Sequence, residues 1–143
     1  MSKSNLAVAQ SGNPNIGLIQ SLYAMFGRGD VAGIVASATP DVTIGLDGNP
    51  NDAPMLGHHK GHAGMRDFFR ILAETHDITS FTPQEFYADG DKVFVIGRYG
   101  WTMKPSGRKG ESDWFHIWTI RNGKIASCRS LNDTALLAQA WRG

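Results

Sequence analysis

The composition of this chain excludes several classes of partner. The chain has 143 residues and a formal net charge of +1 at pH 7, because 14 lysines and arginines nearly balance 13 aspartates and glutamates. No basic cluster occurs beyond the short loop at residues 104–109, so we expect no nucleic-acid partner and no anionic membrane partner. A chain of this length is sufficient for one domain with a substantial core.

The sequence carries no pattern typical of export or membrane insertion. The only cysteine, Cys128, cannot form an intramolecular disulfide, which is compatible with a reducing compartment. Residues 1–12 carry no apolar run like that of a signal peptide, and no segment approaches the length of a membrane span. We expect a soluble, cytoplasmic protein in which residues 1–12 form a flexible tail and residues 13–143 form a single domain.

Two helices are predicted at the start of this domain. Asn13 and Pro14 supply a cap and a first-turn proline, and apolar residues then recur at helical spacing until Gly27. Asp30 caps a second, shorter helix whose buried stripe extends to Ala38. Pro40 is expected to end that helix.

A strand, a loop and a third helix come next. The strand is predicted at Val42–Leu46, and the loop at Asp47–Lys60 is rich in glycine, proline, asparagine and aspartate. From about His62 to Thr75, apolar residues lie on one side of the predicted helix and charged residues lie elsewhere. This pattern is typical of an amphipathic helix that covers a sheet.

The remainder of the chain predicts an antiparallel meander. Its strands are expected at Ile78–Ala88, Lys92–Met103, Glu111–Arg121 and Lys124–Asn132. Asp133 then caps a terminal helical segment. Helices before and among the strands indicate an α+β domain, in which three N-terminal and intervening helices pack a strongly curved, mostly antiparallel sheet around a pocket.

One predicted strand carries a histidine on an apolar face. His116 shares its face with Trp114 and Trp118, because alternate strand residues point the same way. On the next strand the small polar residues that are expected to share this face are Cys128, Ser130 and Asn132. The face can be a pocket wall, or it can be ordinary core in which the histidine bonds to a neighbour. For the strand at Lys92–Met103, the pattern leaves open which face meets the pocket.

Several short motifs, in this order and at this spacing, resemble those of a known superfamily. They are Gly29-Asp30, Pro40-Asp41-Val42, Gly61-His62-Ala63-Gly64-Met65, Asp89-Gly90-Asp91-Lys92-Val93, and His116-Ile117-Trp118 through Gly123-Lys124-Ile125 to Asp133-Thr134. The chain resembles the nuclear-transport-factor-type cone fold, and within it the SnoaL-like and ketosteroid-isomerase-related proteins. The resemblance covers nearly the whole chain after residue 13. It implies a cone-shaped domain with a cavity, but this fold serves many functions.

The resemblance also implies positions for site residues. Steroid isomerases of this superfamily use an aspartate base at the end of the first strand, with a helix-one tyrosine and a neutral acid as oxyanion donors. The base position falls on Leu46, which cannot accept a proton, and Asp47 follows it. The neutral-acid position falls on His116, which can also donate a hydrogen bond to an oxyanion. The tyrosine position falls nearest Leu22, with Tyr23 adjacent.

These considerations define the candidate site residues. We expect His116, Asp47 and Tyr23 to carry any chemistry. The expected ligand-binding side chains are Trp118, Trp114, Ser130, Asn132, Cys128, His62 and Phe69. The histidines at 58, 59 and 62 are dense enough to permit a metal site, but clearly spaced carboxylate or thiolate ligands are missing nearby. We therefore expect no metal and no cofactor.

Three functions remain open at this point. The first is a pocket protein for a small apolar or partly oxygenated molecule, with cofactor-free isomerase-type or cyclase-type proton transfer on a carbonyl compound. The second is a ligand-binding module without catalysis, which the leucine at position 46 favours. The third is a dimeric interaction module whose cavity is filled by side chains. A homodimer through the sheet is expected in each case, because one face of the meander is too apolar for water.

Overall fold

The computed structural model describes residues 13–143, so the predicted tail at residues 1–12 lies outside the described residues. The described part contains four helices and six strands. The helices are α1 (Pro14–Gly27), α2 (Val31–Ala36), α3 (Gly61–Thr75) and α4 (Thr134–Arg142). The strands are β1 (Ala38–Leu46), β2 (Gly57–Lys60), β3 (His76–Asp89), β4 (Lys92–Met103), β5 (Lys109–Arg121) and β6 (Lys124–Asn132).

The strands form one curved, open sheet in the order β2-β1-β6-β5-β4-β3. The pair β1–β6 is parallel, and all other neighbouring strands are antiparallel. The four predicted meander strands are confirmed, and two of them have the predicted bounds. The α+β fold class, with helices packed against a mostly antiparallel sheet, is therefore confirmed.

Side-chain caps lie at the start of three of the four described helices, α1, α2 and α4. The Asn13 carboxamide oxygen accepts a hydrogen bond of 2.8 Å from the Asn15 amide. The Asp30 carboxylate accepts one of 2.9 Å from the Gly33 amide, and Asp133 accepts one of 3.1 Å from the Leu136 amide. These bonds satisfy amide groups that a helix leaves unpaired in its first turn. All three predicted caps are confirmed.

The predicted end of the second helix is wrong. Helix α2 ends at Ala36, and β1 begins at Ala38, so Ala38 and Pro40 belong to the strand. The register between β1 and β6 is interrupted between Ala38 and Thr43. A proline has no amide hydrogen, and within a sheet it is tolerated where the ladder is irregular. Pro40 therefore lies in the interrupted part of the strand.

Strand β2 lies within the segment that the sequence pattern predicts as a loop. This strand pairs with β1 through contacts such as Gly45↔His58. A Cβ atom at Gly45 would lie 2.1 Å from the Gly57 carbonyl oxygen, so the two backbones approach too closely for a side chain. A strand of four residues whose pairing depends on a distant glycine has no periodicity of its own to detect.

The concave side of the sheet holds the core. On β4, Val93, Val95 and Tyr99 are buried while Phe94 is 39% exposed, so the odd-numbered residues face inward. This finding answers the question that the sequence left open for that strand. Helix α3 covers the same side with Met65 and Phe68, both buried. Among the described residues, no helix is long and apolar enough to cross a membrane.

Candidate functional site

A cavity lies between the helices and the concave face of the sheet. Its volume is about 90 Å³, several times the 10–15 Å³ or so that a single water molecule needs. Helices α1 and α3 contribute apolar walls, including Leu22, Phe26, Phe68 and Phe69. Strands β5 and β6 contribute a floor that carries Trp114, His116, Trp118, Cys128, Ser130 and Asn132. The space is large enough for a small organic molecule.

A three-residue hydrogen-bond relay lies at one end of this cavity. The Trp118 indole N–H donates to the Tyr23 hydroxyl oxygen over 3.0 Å. That hydroxyl oxygen lies 2.8 Å from His116 Nδ1. An indole nitrogen can only donate, so the phenol proton is free to go to Nδ1. This assignment satisfies all three groups and makes His116 the neutral tautomer with its proton on Nε2.

Stacked aromatic rings hold His116 in place. Its ring centroid lies 3.9 Å from that of Trp114, with the two planes 20° apart. The Phe81 ring also stacks on Trp114, with centroids 4.8 Å apart. Gly97 makes room for Trp114, since a Cβ atom there would lie 2.1 Å from the indole ring. The imidazole is therefore fixed by packing as well as by its bond to Tyr23.

The cavity is electrically neutral near pH 7. Burial lowers the pKa of His116 to about 3 and the pKa of His76 to about 4. Burial also raises the pKa of Tyr23, Tyr99 and Cys128 well above their ordinary values. His116 is partly exposed and lines the cavity. No aspartate, glutamate, lysine or arginine of residues 13–143 lines the cavity.

The small polar residues of β6 follow the predicted register. Cys128 pairs with Trp118, Ser130 with His116 and Asn132 with Trp114. The Ser130 hydroxyl donates to the Asn132 side-chain oxygen over 2.6 Å. The Cys128 thiol stays protonated because burial raises its pKa, and a thiol rather than a thiolate is a poor nucleophile.

Leu46 is the residue on which the resemblance places the base position of the isomerases. It lines the cavity and pairs directly with Ser130, whose other neighbour in the sheet is His116. Leu46 is therefore part of the cavity wall. A leucine there contributes apolar surface and no proton acceptor.

Asp47 lies outside the cavity lining. Its carboxylate contacts His58 Nε2 at 2.6 Å and Arg129 Nη2 at 2.5 Å. Arg129 is exposed on the outer face of β6, opposite Ser130. The Arg129 hydrogen bond, followed by that of His58, holds the pKa of Asp47 below its ordinary value. The next residue along a strand points to the other face, and this explains why Asp47 is separated from His116.

The remaining histidines of the predicted group have separate neighbours. The His62 ring N–H donates to the Ala38 carbonyl oxygen over 3.0 Å, and His62 does not line the cavity. The His59 ring centroid lies 5.9 Å from that of Phe68. Within residues 13–143, no group of three or more histidines, cysteines or acids is placed to hold a metal ion.

Sequence reasoning missed two polar residues of the cavity, His76 and Tyr99. For Tyr99, the pattern of the strand at Lys92–Met103 leaves open which face meets the pocket. His76 falls between the helix predicted to end at Thr75 and the strand predicted to begin at Ile78. Extending the alternation two residues back from Ile78, which also lines the cavity, would have placed His76 on the same face.

Comparisons with known proteins agree with this architecture. The chain is similar to an NTF2-like protein of unknown function from Burkholderia pseudomallei K96243, at 24% identity and a TM-score of 0.81, over 90% of this chain and 98% of that one. It is similar to an NTF2-like protein from Burkholderia xenovorans LB400, at 32% identity and a TM-score of 0.79, over 88% and 94%. It is also similar to TerC co-crystallised with polyporic acid, at 28% identity and a TM-score of 0.78, over 92% and 100%.

A search among curated proteins finds no match. The model of one protein family, described as the SnoaL-like domain, matches residues 19–128. That match spans well over half of the chain and confirms the resemblance stated above. The chain therefore belongs to the SnoaL-like domain family.

Proposed function

We propose that this protein binds a neutral, largely apolar small molecule through a carbonyl or similar oxygen that accepts a hydrogen bond from His116. One observation carries the proposal: no charged side chain of the described residues lines the cavity, and its titratable groups are held neutral by burial. A charged ligand would lose its hydration in such a site without gaining a counter-ion. A neutral ligand loses little and gains apolar contact.

The relay explains why an oxygen acceptor should bind at His116. In the chain from Trp118 through Tyr23 to His116, each group donates to the next, and hydrogen bonds arranged in series strengthen one another. The proton on His116 Nε2 is the free end of that chain. No described residue hydrogen-bonds to this nitrogen, so a ligand oxygen is the partner that completes the relay.

One solved relative supports a small-molecule site. TerC, which is 28% identical to this chain, has been co-crystallised with polyporic acid. The similarity covers 92% of this chain. We take this as support for a ligand-binding cavity, while the ligand of this protein follows from its own residues.

The proposal can be tested with two isosteric compounds, acetophenone and α-methylstyrene. In α-methylstyrene, a methylene group replaces the carbonyl oxygen of acetophenone. We expect acetophenone to bind about tenfold more tightly, the ratio that one net hydrogen bond of about 1.4 kcal/mol provides. Quenching of tryptophan fluorescence should report binding, since Trp114 and Trp118 line the cavity.

Substitution of His116 supplies the decisive comparison. His116→Phe keeps an aromatic ring against Trp114 but removes both nitrogens. The ratio of the affinities for acetophenone and α-methylstyrene should therefore fall to about 1. His58→Phe is the matched control, because His58 is exposed and lies outside the cavity. An unchanged preference in the His116 variant, or equal binding of the two compounds to the wild type, would refute the proposal.

A proton-transfer enzyme is the second candidate. The Tyr23–His116 bond favours it, because such a relay stabilises an enolate oxygen and can return a proton to it. The α proton of the ketone also needs an acceptor, and the carboxylate of Asp47 is occupied by Arg129 and His58. We therefore rank binding without catalysis first.

Deuterium exchange separates these two candidates. Acetophenone incubated with the protein in deuterium oxide would gain deuterium in its methyl group, faster than in buffer, if the cavity promotes enolisation. NMR or mass spectrometry measures this gain directly. Exchange that depends on His116 would establish the enzyme, whereas binding without exchange would establish the ligand-binding module.

We further propose that two copies of the chain associate through the outer face of the sheet. Phe94, Phe115 and Leu131 are 39%, 50% and 38% exposed. Phe115 lies beside Leu131 on one neighbouring strand and beside Ile96 on the other. Adjacent exposed apolar side chains of this kind favour a self-complementary contact.

Light scattering at micromolar concentration should detect this dimer. Phe115→Glu would bury two charges at the centre of the contact, so we expect a monomer. Gln20→Glu is the control, since it adds the same charge to an exposed position on helix α1. A wild-type monomer, or a dimer that survives the Phe115 substitution, would contradict the proposed contact.

A further inference from the structure

We propose that His76 is a second recognition group in the cavity, a hydrogen-bond acceptor that selects ligands carrying a hydroxyl donor away from the oxygen bound by His116. The inference rests on the proposed binding function and narrows its ligand class to hydroxy-carbonyl compounds. Such a ligand accepts a hydrogen bond at one end and donates one at the other.

The position of His76 places it in the cavity wall. It is the first residue of β3, directly after helix α3, and it pairs with Met103 on β4. Only 3% of its surface is exposed, yet it lines the cavity. Its ring meets that of Tyr99 edge-on, with centroids 6.4 Å apart. A buried polar ring in this position needs partners for both of its nitrogens.

The neighbouring threonine determines which nitrogen carries the proton. The Thr75 hydroxyl donates to the Ile71 carbonyl oxygen over 2.7 Å. Its oxygen also lies 2.8 Å from His76 Nδ1. A hydroxyl has one proton, and a carbonyl oxygen can only accept, so the threonine proton goes to Ile71. His76 Nδ1–H must therefore donate to Thr75. This leaves Nε2 of His76 unprotonated, with a lone pair that can accept a hydrogen bond.

The two cavity histidines thus have opposite tautomers. His116 carries its proton on Nε2, because Tyr23 donates to its Nδ1. His76 carries its proton on Nδ1, because Thr75 accepts from it. Neither Nε2 atom is bonded to a described residue, and neither is among the fully buried, unpartnered atoms of residues 13–143. Both nitrogens therefore reach accessible space, one as a donor and the other as an acceptor.

The acceptor on His76 is retained at neutral pH. Burial lowers its pKa to about 4; the charge of Asp77 raises the pKa and that of Lys104 lowers it, but both effects are smaller than that of burial. Near pH 7 the ring is neutral and its lone pair is available. A hydroxyl group is the neutral donor that most often meets such a nitrogen.

The two histidines contact different parts of a ligand. Their rings do not contact each other, and the rings of Tyr99 and Phe81 lie between them. The centroid distances are 6.4 Å from His76 to Tyr99, 6.3 Å from Tyr99 to Phe81 and 6.3 Å from Phe81 to His116. The intervening rings offer flat apolar surfaces. A planar molecule with a hydroxyl at one end and a carbonyl at the other matches this arrangement. Its hydroxyl would donate to His76, its apolar part would lie against the two rings, and its carbonyl would accept from His116.

NMR of the imidazole nitrogens tests the tautomers without any ligand. In the uniformly labelled full-length chain, we expect His76 to show a protonated Nδ1 and His116 a protonated Nε2. His76→Phe and His116→Phe assign the signals. The opposite tautomer at His76, or a rapid mixture of both, would overturn the inference and leave the proposed binding at His116 intact.

Ligand pairs test the recognition itself. The probes are para-hydroxyacetophenone and its longer biphenyl homologue, each compared with the compound in which fluorine replaces the hydroxyl. Fluorine is similar in size but cannot donate. For at least one of the two lengths, we expect the hydroxy compound to bind about tenfold more tightly. The absence of this preference at both lengths would overturn the inference.

Variants at two positions identify the cause of any preference. His76→Phe should reduce the ratio of the affinities of the hydroxy and fluoro compounds to about 1. Thr75→Val should do the same by freeing the His76 tautomer, whereas Thr75→Ser keeps the hydroxyl and should keep the preference. A hydroxyl preference that survives His76→Phe would refute the assignment, and one that survives only in Thr75→Val would show that Thr75 does not set the tautomer. If acetophenone itself fails to bind, the proposed function fails, and this inference fails with it.

Discussion

Lowering the pH from about 7 to about 5 should destabilise this protein by about 4 kcal/mol. The effect arises from His76 and His116, which burial keeps neutral with pKa values of about 4 and about 3. An unfolded histidine has a pKa of about 6.5. As the pH falls below that value, the unfolded chain binds protons that the folded chain does not bind. Stability is therefore present above the unfolded pKa and is lost progressively toward the folded pKa.

The magnitude follows from proton linkage. At about pH 5, protonation stabilises each unfolded histidine by about 2 kcal/mol, and at about pH 7 by only a few tenths. Two such residues give the total stated above. Asp41 and Asp47 also have lowered pKa values, so their contributions have the same sign, but they are lost mainly below about pH 4.

Urea unfolding followed by circular dichroism measures this loss. The protein concentration should be the same at both pH values, because the stability of a dimer depends on it. His76→Phe and His116→Phe should each reduce the difference between the two pH values to about 2 kcal/mol. The reasoning is refuted if the wild type loses less than about 1 kcal/mol, or if neither variant changes the pH dependence.

Three substitutions test other parts of the site. Tyr23→Phe should lower the free energy of unfolding by about 2–4 kcal/mol, since it leaves two buried groups without their partner; urea unfolding measures this, and a loss below about 0.5 kcal/mol would contradict the relay. Gly97→Ala should displace the ring of Trp114, reduce stability by about 1–3 kcal/mol and change the near-ultraviolet circular dichroism, whereas an unchanged spectrum would show that the packing tolerates the methyl group. Leu46→Asp should place a carboxylate with a raised pKa in the cavity and increase deuterium exchange into bound acetophenone. Exchange equal to that of the wild type would argue that residue 46 does not lie beside the ligand.

Periodicity predicted the parts of this molecule that depend on local pattern. The alternation at Trp114, His116 and Trp118 identified the inner face of β5, and the capping residue Asp133 identified the start of the last helix. The same alternation identified the polar residues of β6. These features depend on residues that are close together in sequence, so the sequence alone was sufficient.

Other parts depend on contacts that no local pattern encodes. The orientation of Asp47 is fixed by Arg129, which lies on a strand from the other end of the chain. His62 bonds to the Ala38 backbone instead of facing the cavity. The tautomer of His76 is set by the Thr75 hydroxyl, which donates its proton to the Ile71 carbonyl oxygen of the preceding helix. The first two outcomes follow from tertiary contacts and the third from counting protons, and none of the three is visible in residue spacing.

The parallel pairing of β1 with β6 has a consequence for how the chain folds. Ile44 and Cys128 are partners in this pair although more than eighty positions separate them in sequence. Contacts of such long range form slowly, because the entropy of a large loop must be lost before the contact stabilises the chain. Both residues line the cavity, so the binding site should be complete only in the last stage of folding. A ligand would then slow the unfolding rate and leave the folding rate almost unchanged.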